Sequence, residues 1–89
     1  MDTKKLFDLT GQVAVITGGT SGIGRRTVEL FVAEGARVVF TGRQDDKGEA
    51  LAAELGDGAL YLHADVRNEA DIKAAIDLAT DRFGRLDCL

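Results

Sequence analysis

Short apolar runs alternate with amphipathic stretches along the chain. Val13-Ala14-Val15-Ile16 is a continuous apolar run between Gly11 and Gly18-Gly19, the pattern of a strand buried on both faces. Ile23, Thr27, Val28, Phe31 and Val32 then recur at spacings of three to four, and Gly35 closes that helix as a C′ residue. Val38-Val39-Phe40 predicts a second strand. Asp45 or Asp46 is placed to cap a second helix that turns Ala50, Leu51 and Leu55 inward and stops at Gly56 and Gly58. Residues 59–64 predict a third strand. Asn68 reads as an N-cap, with Glu69 and Asp71 in a first turn where negative charge suits the helix dipole. Ile72, Ala75, Ile76, Ala79 and Phe83 form the clearest amphipathic stripe, ended by Gly84, and Leu86-Asp87-Cys88-Leu89 opens a fourth apolar run.

This order, βαβαβα with a further strand starting, predicts an α/β fold: a Rossmann-type parallel sheet with helices on both faces. Right-handed crossovers give the strand order 3-2-1, with a fourth strand on the free side of strand 1. The chain of 89 residues allows one domain. At that size folding buries roughly 60–65% of the surface of the unfolded chain, enough for a modest core. With strand 4 barely begun, residues 1–89 read as the N-terminal, incomplete part of a larger domain. The alternative is a small three-stranded module closed by a partner chain.

Composition narrows the function. A net charge of -4 argues against nucleic-acid binding, because such a surface repels a phosphate polymer. No stretch approaches the ~18 apolar residues of a membrane span, and the charged start at Met1–Lys5 lacks the apolar segment of a secretory signal. The single cysteine, Cys88, has no partner for a disulfide or a zinc site, which points to a reducing cytoplasm. His63, alone on a strand, reads as a structural side chain rather than a ligand. Arg25 and Arg26 read as solvated charges near the glycine turn.

The glycines carry the chemistry. Thr17-Gly18-Gly19-Thr20-Ser21-Gly22-Ile23-Gly24 joins the first strand to the first helix. Gly18 permits a sharp turn off the strand, Gly22 lets the backbone approach a pyrophosphate, and Gly24 lets the helix pack closely on the strand. The free N–H groups and dipole of the first helical turn suit an anion, and Thr20 and Ser21 add hydroxyl donors. A glycine-rich turn that binds nothing is the bland alternative. A nucleoside-triphosphate loop is excluded, since the Lys and the Ser or Thr that should follow its last glycine are Arg25 and Arg26.

Thr17-Gly18-x-x-x-Gly22-x-Gly24 resembles the T-G-x-x-x-G-x-G loop of the short-chain dehydrogenases/reductases. The leader Leu6-Phe7-Asp8-Leu9-Thr10-Gly11-Gln12-Val13-Ala14-Val15-Ile16, the segment Ala64-Asp65-Val66 and the segment Phe83-Gly84-Arg85-Leu86-Asp87-Cys88-Leu89 resemble the same family, so the likeness spans the chain. It implies that Gly18, Ser21, Ile23 and Gly24 border the pyrophosphate of a nicotinamide dinucleotide. It also implies that Asp65 accepts from the adenine amino group, with the Val66 backbone beside it. An NAD site wants an acid at the end of the second strand, for the ribose 2′-OH. Gly42 stands there, followed by Arg43. A guanidinium in place of a carboxylate suits a 2′-phosphate, so NADP is expected over NAD. The competing reading leaves Arg43 in solvent and sends Asp45 or Asp46 to the ribose.

The resemblance implies hydride transfer to or from an alcohol or ketone substrate, by a Tyr with a Lys four residues later. The sole tyrosine is Tyr61, and position 65 is Asp65, so no catalytic residue is assigned and the 89 residues are expected to bind cofactor without turnover. The family's Asn-Asn-Ala-Gly segment would begin after Leu89. Homo-oligomers are implied through later elements. The other class of function weighed is a non-catalytic nucleotide-binding or regulatory module.

Overall fold

The computed structural model describes residues 9–20 and 22–87. The expectations for Ser21 and Cys88, and the part of the leader before Leu9, lie outside these residues. Three strands alternate with three helices: β1 Val13–Ile16, α1 Gly22–Ala33, β2 Arg37–Gly42, α2 Asp45–Leu55, a short 3-10 turn Gly56–Gly58, β3 Ala59–His63 and α3 Glu69–Phe83. The strands pair in parallel in the order β1-β2-β3, with Val15 opposite Val39 and Phe40 opposite Tyr61. This is the order the crossover rule predicts.

The continuous apolar runs are explained by two cores. On one face, Val38 and Phe40 of β2 pack with Val28 of α1, Leu51 of α2 and Ala59. On the other, Val13 and Val15 of β1 and Val39 pack with Ala75 and Ala79 of α3. Val38, Val39 and Phe40 are each fully buried. Successive strand residues face opposite ways, so a strand covered on both sides needs an apolar residue at every position.

The helix ends follow the local chemistry. After α1, Ala36 N–H donates to Phe31 O and Gly35 N–H to Val32 O, both at 3.0 Å, with Gly35 at φ 100°. This is the Schellman pairing, which needs a left-handed C′ residue. Asn68 caps α3, its side chain accepting from the N–H groups of Ala70 and Asp71, and Gly84 ends the helix in the left-handed region.

Three sequence expectations are corrected. Asp45 and Asp46 do not cap α2: Gln44 holds that position without a side-chain bond, and both acids lie in the first turn, where the dipole favours them equally. Ala50 is exposed, and Ala52 joins the core beside Leu51 and Leu55. Ile23 is 87% exposed, and the buried stripe of α1 begins later, at Val28.

Beyond α3 the chain returns to the open side of β1. Asp87 N–H donates to Val13 O at 2.8 Å, and Val13 N–H donates to the Asp87 carboxylate at 2.9 Å. Arg85, 2.6 Å from the same carboxylate, lowers its pKa more than the Val13 N–H does. The expected place of strand 4 is therefore marked by a backbone contact.

Candidate functional site

Because the sheet is parallel, Ile16, Gly42 and His63 end their strands at the same edge. The loops that leave this edge converge on one cleft of about 650 Å³. Gly18 and Thr20 line it from the first loop, Gly42, Arg43 and Gln44 from the second, and residues 64–67 from the third. Open parallel sheets place ligands at this edge.

The glycine turn is built by close approach. Gly19 N–H donates to Thr41 O at 2.9 Å, and a Cβ on Gly19 would come within 2.8 Å of the Phe40 Cβ. The turn is thereby folded down onto β2. Gly18 and Gly22 have φ +71° and +57°, and among the described residues a Cβ at either would meet nothing within 4 Å. The freedom at these two glycines is conformational, and the space beside them is open. Gly24 differs: a Cβ there would overlap the Gly18 carbonyl. At Gly24 the helix therefore meets the loop that leaves β1, while Val28, one turn on, packs on the sheet itself.

Thr20 is 6% exposed. A Cβ on Gly42 would lie 2.7 Å from its Cγ2 and 2.8 Å from its Oγ1. Thr20 therefore fills the place a side chain at position 42 would need, and any residue but glycine at the end of β2 would require Thr20 to shift. Arg43 follows, exposed, as the only cationic side chain that lines the cleft from this loop.

Asp65 is held in a local turn. Its Oδ1 accepts from the Arg67 backbone N–H at 2.9 Å and from Nε at 3.1 Å, and its Oδ2 accepts from the guanidinium NH2 at 2.8 Å. The Arg67 side chain, then its backbone N–H, hold the Asp65 carboxyl well below the usual carboxylate range, with a smaller contribution from Arg43. The Asp65 N–H donates to Asp71 Oδ2 at 2.9 Å, tying the loop to α3. Val66 is 58% exposed and lines the same cleft. Arg67 was not singled out from the sequence; the signal for the turn is Asp65 itself, since an aspartate side chain can accept from the backbone N–H two residues on.

Of the expected site residues, Gly18, Thr20, Arg43, Asp65 and Val66 share the cleft. Gly22, Ile23 and Gly24 form the first turn of α1 beside the glycine loop. A second concavity of about 680 Å³ runs along the outer side of α1, from Gly22 and Ile23 to Leu30. It contains none of the residues from the ends of β2 and β3, so the cleft at the strand ends is the better candidate. Arg25 is engaged by Glu29 at 3.2 Å and Glu54 at 3.9 Å. Among the described residues, no group of three or more His, Cys, Asp or Glu side chains could hold a metal ion, and no helix is long and apolar enough to cross a membrane.

A parallel sheet of this order, with a glycine turn and a cleft at its carboxyl edge, defines a Rossmann-type α/β unit. The family model for short chain dehydrogenases matches residues 12–89, and the chain belongs to that family. It is 57% identical over 82 residues to momilactone A synthase of Oryza sativa subsp. japonica. It is 51% identical over 81 residues to tropinone reductase-like 1 of Erythroxylum coca. Each match takes in 91% of this chain and 30% of the relative, so the chain spans about a third of the length of these curated relatives. Among solved structures, it resembles a 3-ketoacyl-(acyl-carrier-protein) reductase of Brucella melitensis complexed with NADH. That likeness has a TM-score of 0.85 and 42% identity, over 90% of this chain and 33% of the reductase.

Proposed function

We propose that this chain forms the adenine-side cofactor site of an NADP-preferring short-chain oxidoreductase, which moves a hydride between nicotinamide and an alcohol or ketone. The observation that carries the reading is the Gly42-Arg43 end of β2, where Gly42 offers no carboxylate and a guanidinium lines the cleft. The residues present fit a dinucleotide. The open space beside Gly18 and Gly22 accepts a diphosphate against the N–H groups of the first turn of α1, Gly22 to Gly24. Arg43 meets a 2′-phosphate, Asp65 accepts from the adenine amino group once Arg67 yields part of its hold, and Val66 lies along the ring. The Brucella relative is complexed with NADH, which supports a nicotinamide dinucleotide. The preference for the phosphorylated form rests on this chain's own β2 end.

When bound, the nicotinamide ring supplies or accepts the hydride. These residues only hold and orient: the sole tyrosine, Tyr61, has no lysine four positions on, so the 89 residues bind without turnover. The parent enzyme would work in the cytoplasm as a homo-oligomer. Arg43→Ala tests the reading. A charged hydrogen bond is worth about 1.5–3 kcal/mol, so calorimetry should show NADP⁺ binding weakened roughly 10- to 100-fold and NAD⁺ binding changed less than twofold. An equal loss for both would remove Arg43 from the 2′-phosphate.

A further inference from the structure

Behind the β2 end stands a polar cluster that the cofactor reading leaves unused. Tyr61 O–H donates to Asp45 Oδ1 at 2.7 Å and to Gly42 O at 3.0 Å, one proton shared between two acceptors. His63 Nδ1 stands 2.7 Å from the same Asp45 oxygen. A carboxylate has no proton to give, so Nδ1 carries the hydrogen and donates. The Tyr61 ring lies against Gly48, where any Cβ would strike it, and its centroid is 5.5 Å from that of Phe40. The tyrosine is thus fixed by packing, and Asp45 is drawn to it.

Asp45 follows immediately on Arg43 and Gln44, which line the cleft, while Asp45 itself does not line it. An acid near this point of a dinucleotide site has a definite consequence. A free carboxylate accepts from a ribose 2′-OH and repels a 2′-phosphate. We infer that Tyr61 and His63 act as specificity-determining positioning residues: by holding the Asp45 carboxylate on the β3 side, they keep it off the ribose and preserve the preference for a 2′-phosphorylated dinucleotide. The inference rests on the cofactor reading above and adds to it two residues that never touch the cofactor. Released from both donors, the carboxylate rotates toward the ribose edge and undoes part of what Arg43 provides.

The test is the ratio of the dissociation constants for NAD⁺ and NADP⁺, by calorimetry at low ionic strength, in a Tyr61→Phe, His63→Ala double variant. One unit charge about 6 Å from a doubly charged phosphate in a watery setting is worth about tenfold, so the ratio should fall about tenfold. Adding Asp45→Asn should restore it, an outcome a merely structural role for Tyr61 and His63 does not predict. His63→Ala alone removes an exposed ring and should lower the ratio two- to threefold, which keeps the test intact if the double variant fails to fold. An unchanged ratio, with both dinucleotides still bound, overturns the inference, as does a fall that Asp45→Asn does not reverse. Failure of the unaltered protein to bind either dinucleotide overturns the cofactor reading itself.

Discussion

Gly24→Ala is expected to lower the thermal midpoint by roughly 8–16 °C, followed by circular dichroism. Two effects oppose each other. Alanine favours a helix over glycine by about 1 kcal/mol, which alone would stabilise α1. The added Cβ, however, overlaps the Gly18 carbonyl, a backbone atom that cannot swing aside as a side chain does. Overpacking of this kind costs about 3 kcal/mol, so the net loss is about 2 kcal/mol. A domain of this length has only roughly 4–13 kcal/mol in all, and each kcal/mol moves the midpoint by about 4–8 °C. A midpoint equal to or above that of the unaltered protein would show that α1 does not rest on the glycine turn.

Gly22→Val is expected to act in the opposite proportion, with a modest loss of stability and a loss of dinucleotide binding of about 100-fold or more. The backbone at Gly22 has φ +57° with nothing within 4 Å of a built Cβ. A left-handed conformation costs an L-residue about 1–2 kcal/mol, and among the described residues its Cβ meets no neighbour. The isopropyl group would instead fill the open space beside the first turn of α1 and fence its N–H groups from a diphosphate. NADP⁺ and NAD⁺ should lose equally, since both carry that bridge. A folded Gly22→Val protein with unchanged affinity for both would place the diphosphate elsewhere. Together the two glycines separate fold from function: one is required by a neighbour already present, the other by a ligand.

Much of this was legible in the sequence because it is local. The runs at Val13–Ile16 and Val38–Phe40 announce doubly buried strands, and Asn68, Gly35 and Gly84 act within a few residues of themselves. The strand order then follows from handedness. What the sequence hid are contacts between segments far apart in the chain. Thr20 fills the space beside Gly42, so a packing contact adds to what the glycine means for a cofactor. Asp45 looked like a cap because aspartate suits both a cap and a first turn, and its real partners lie 16 and 18 residues away. Tyr61 and Gly48 explain each other only in space. Ile23 shares the spacing of the apolar stripe yet stands in solvent, because periodicity alone does not show which turn of a helix is covered.

If the cleft at the strand ends receives a dinucleotide, the amides around it must respond to one. A residue-resolved NMR titration of backbone amides with NADP⁺ reads that response. Shifts should concentrate at residues 18–24, at Arg43 and Gln44, and at residues 65–67, saturating together with one dissociation constant. Shifts confined to the outer side of α1 around Leu30, or none at millimolar NADP⁺, would contradict it.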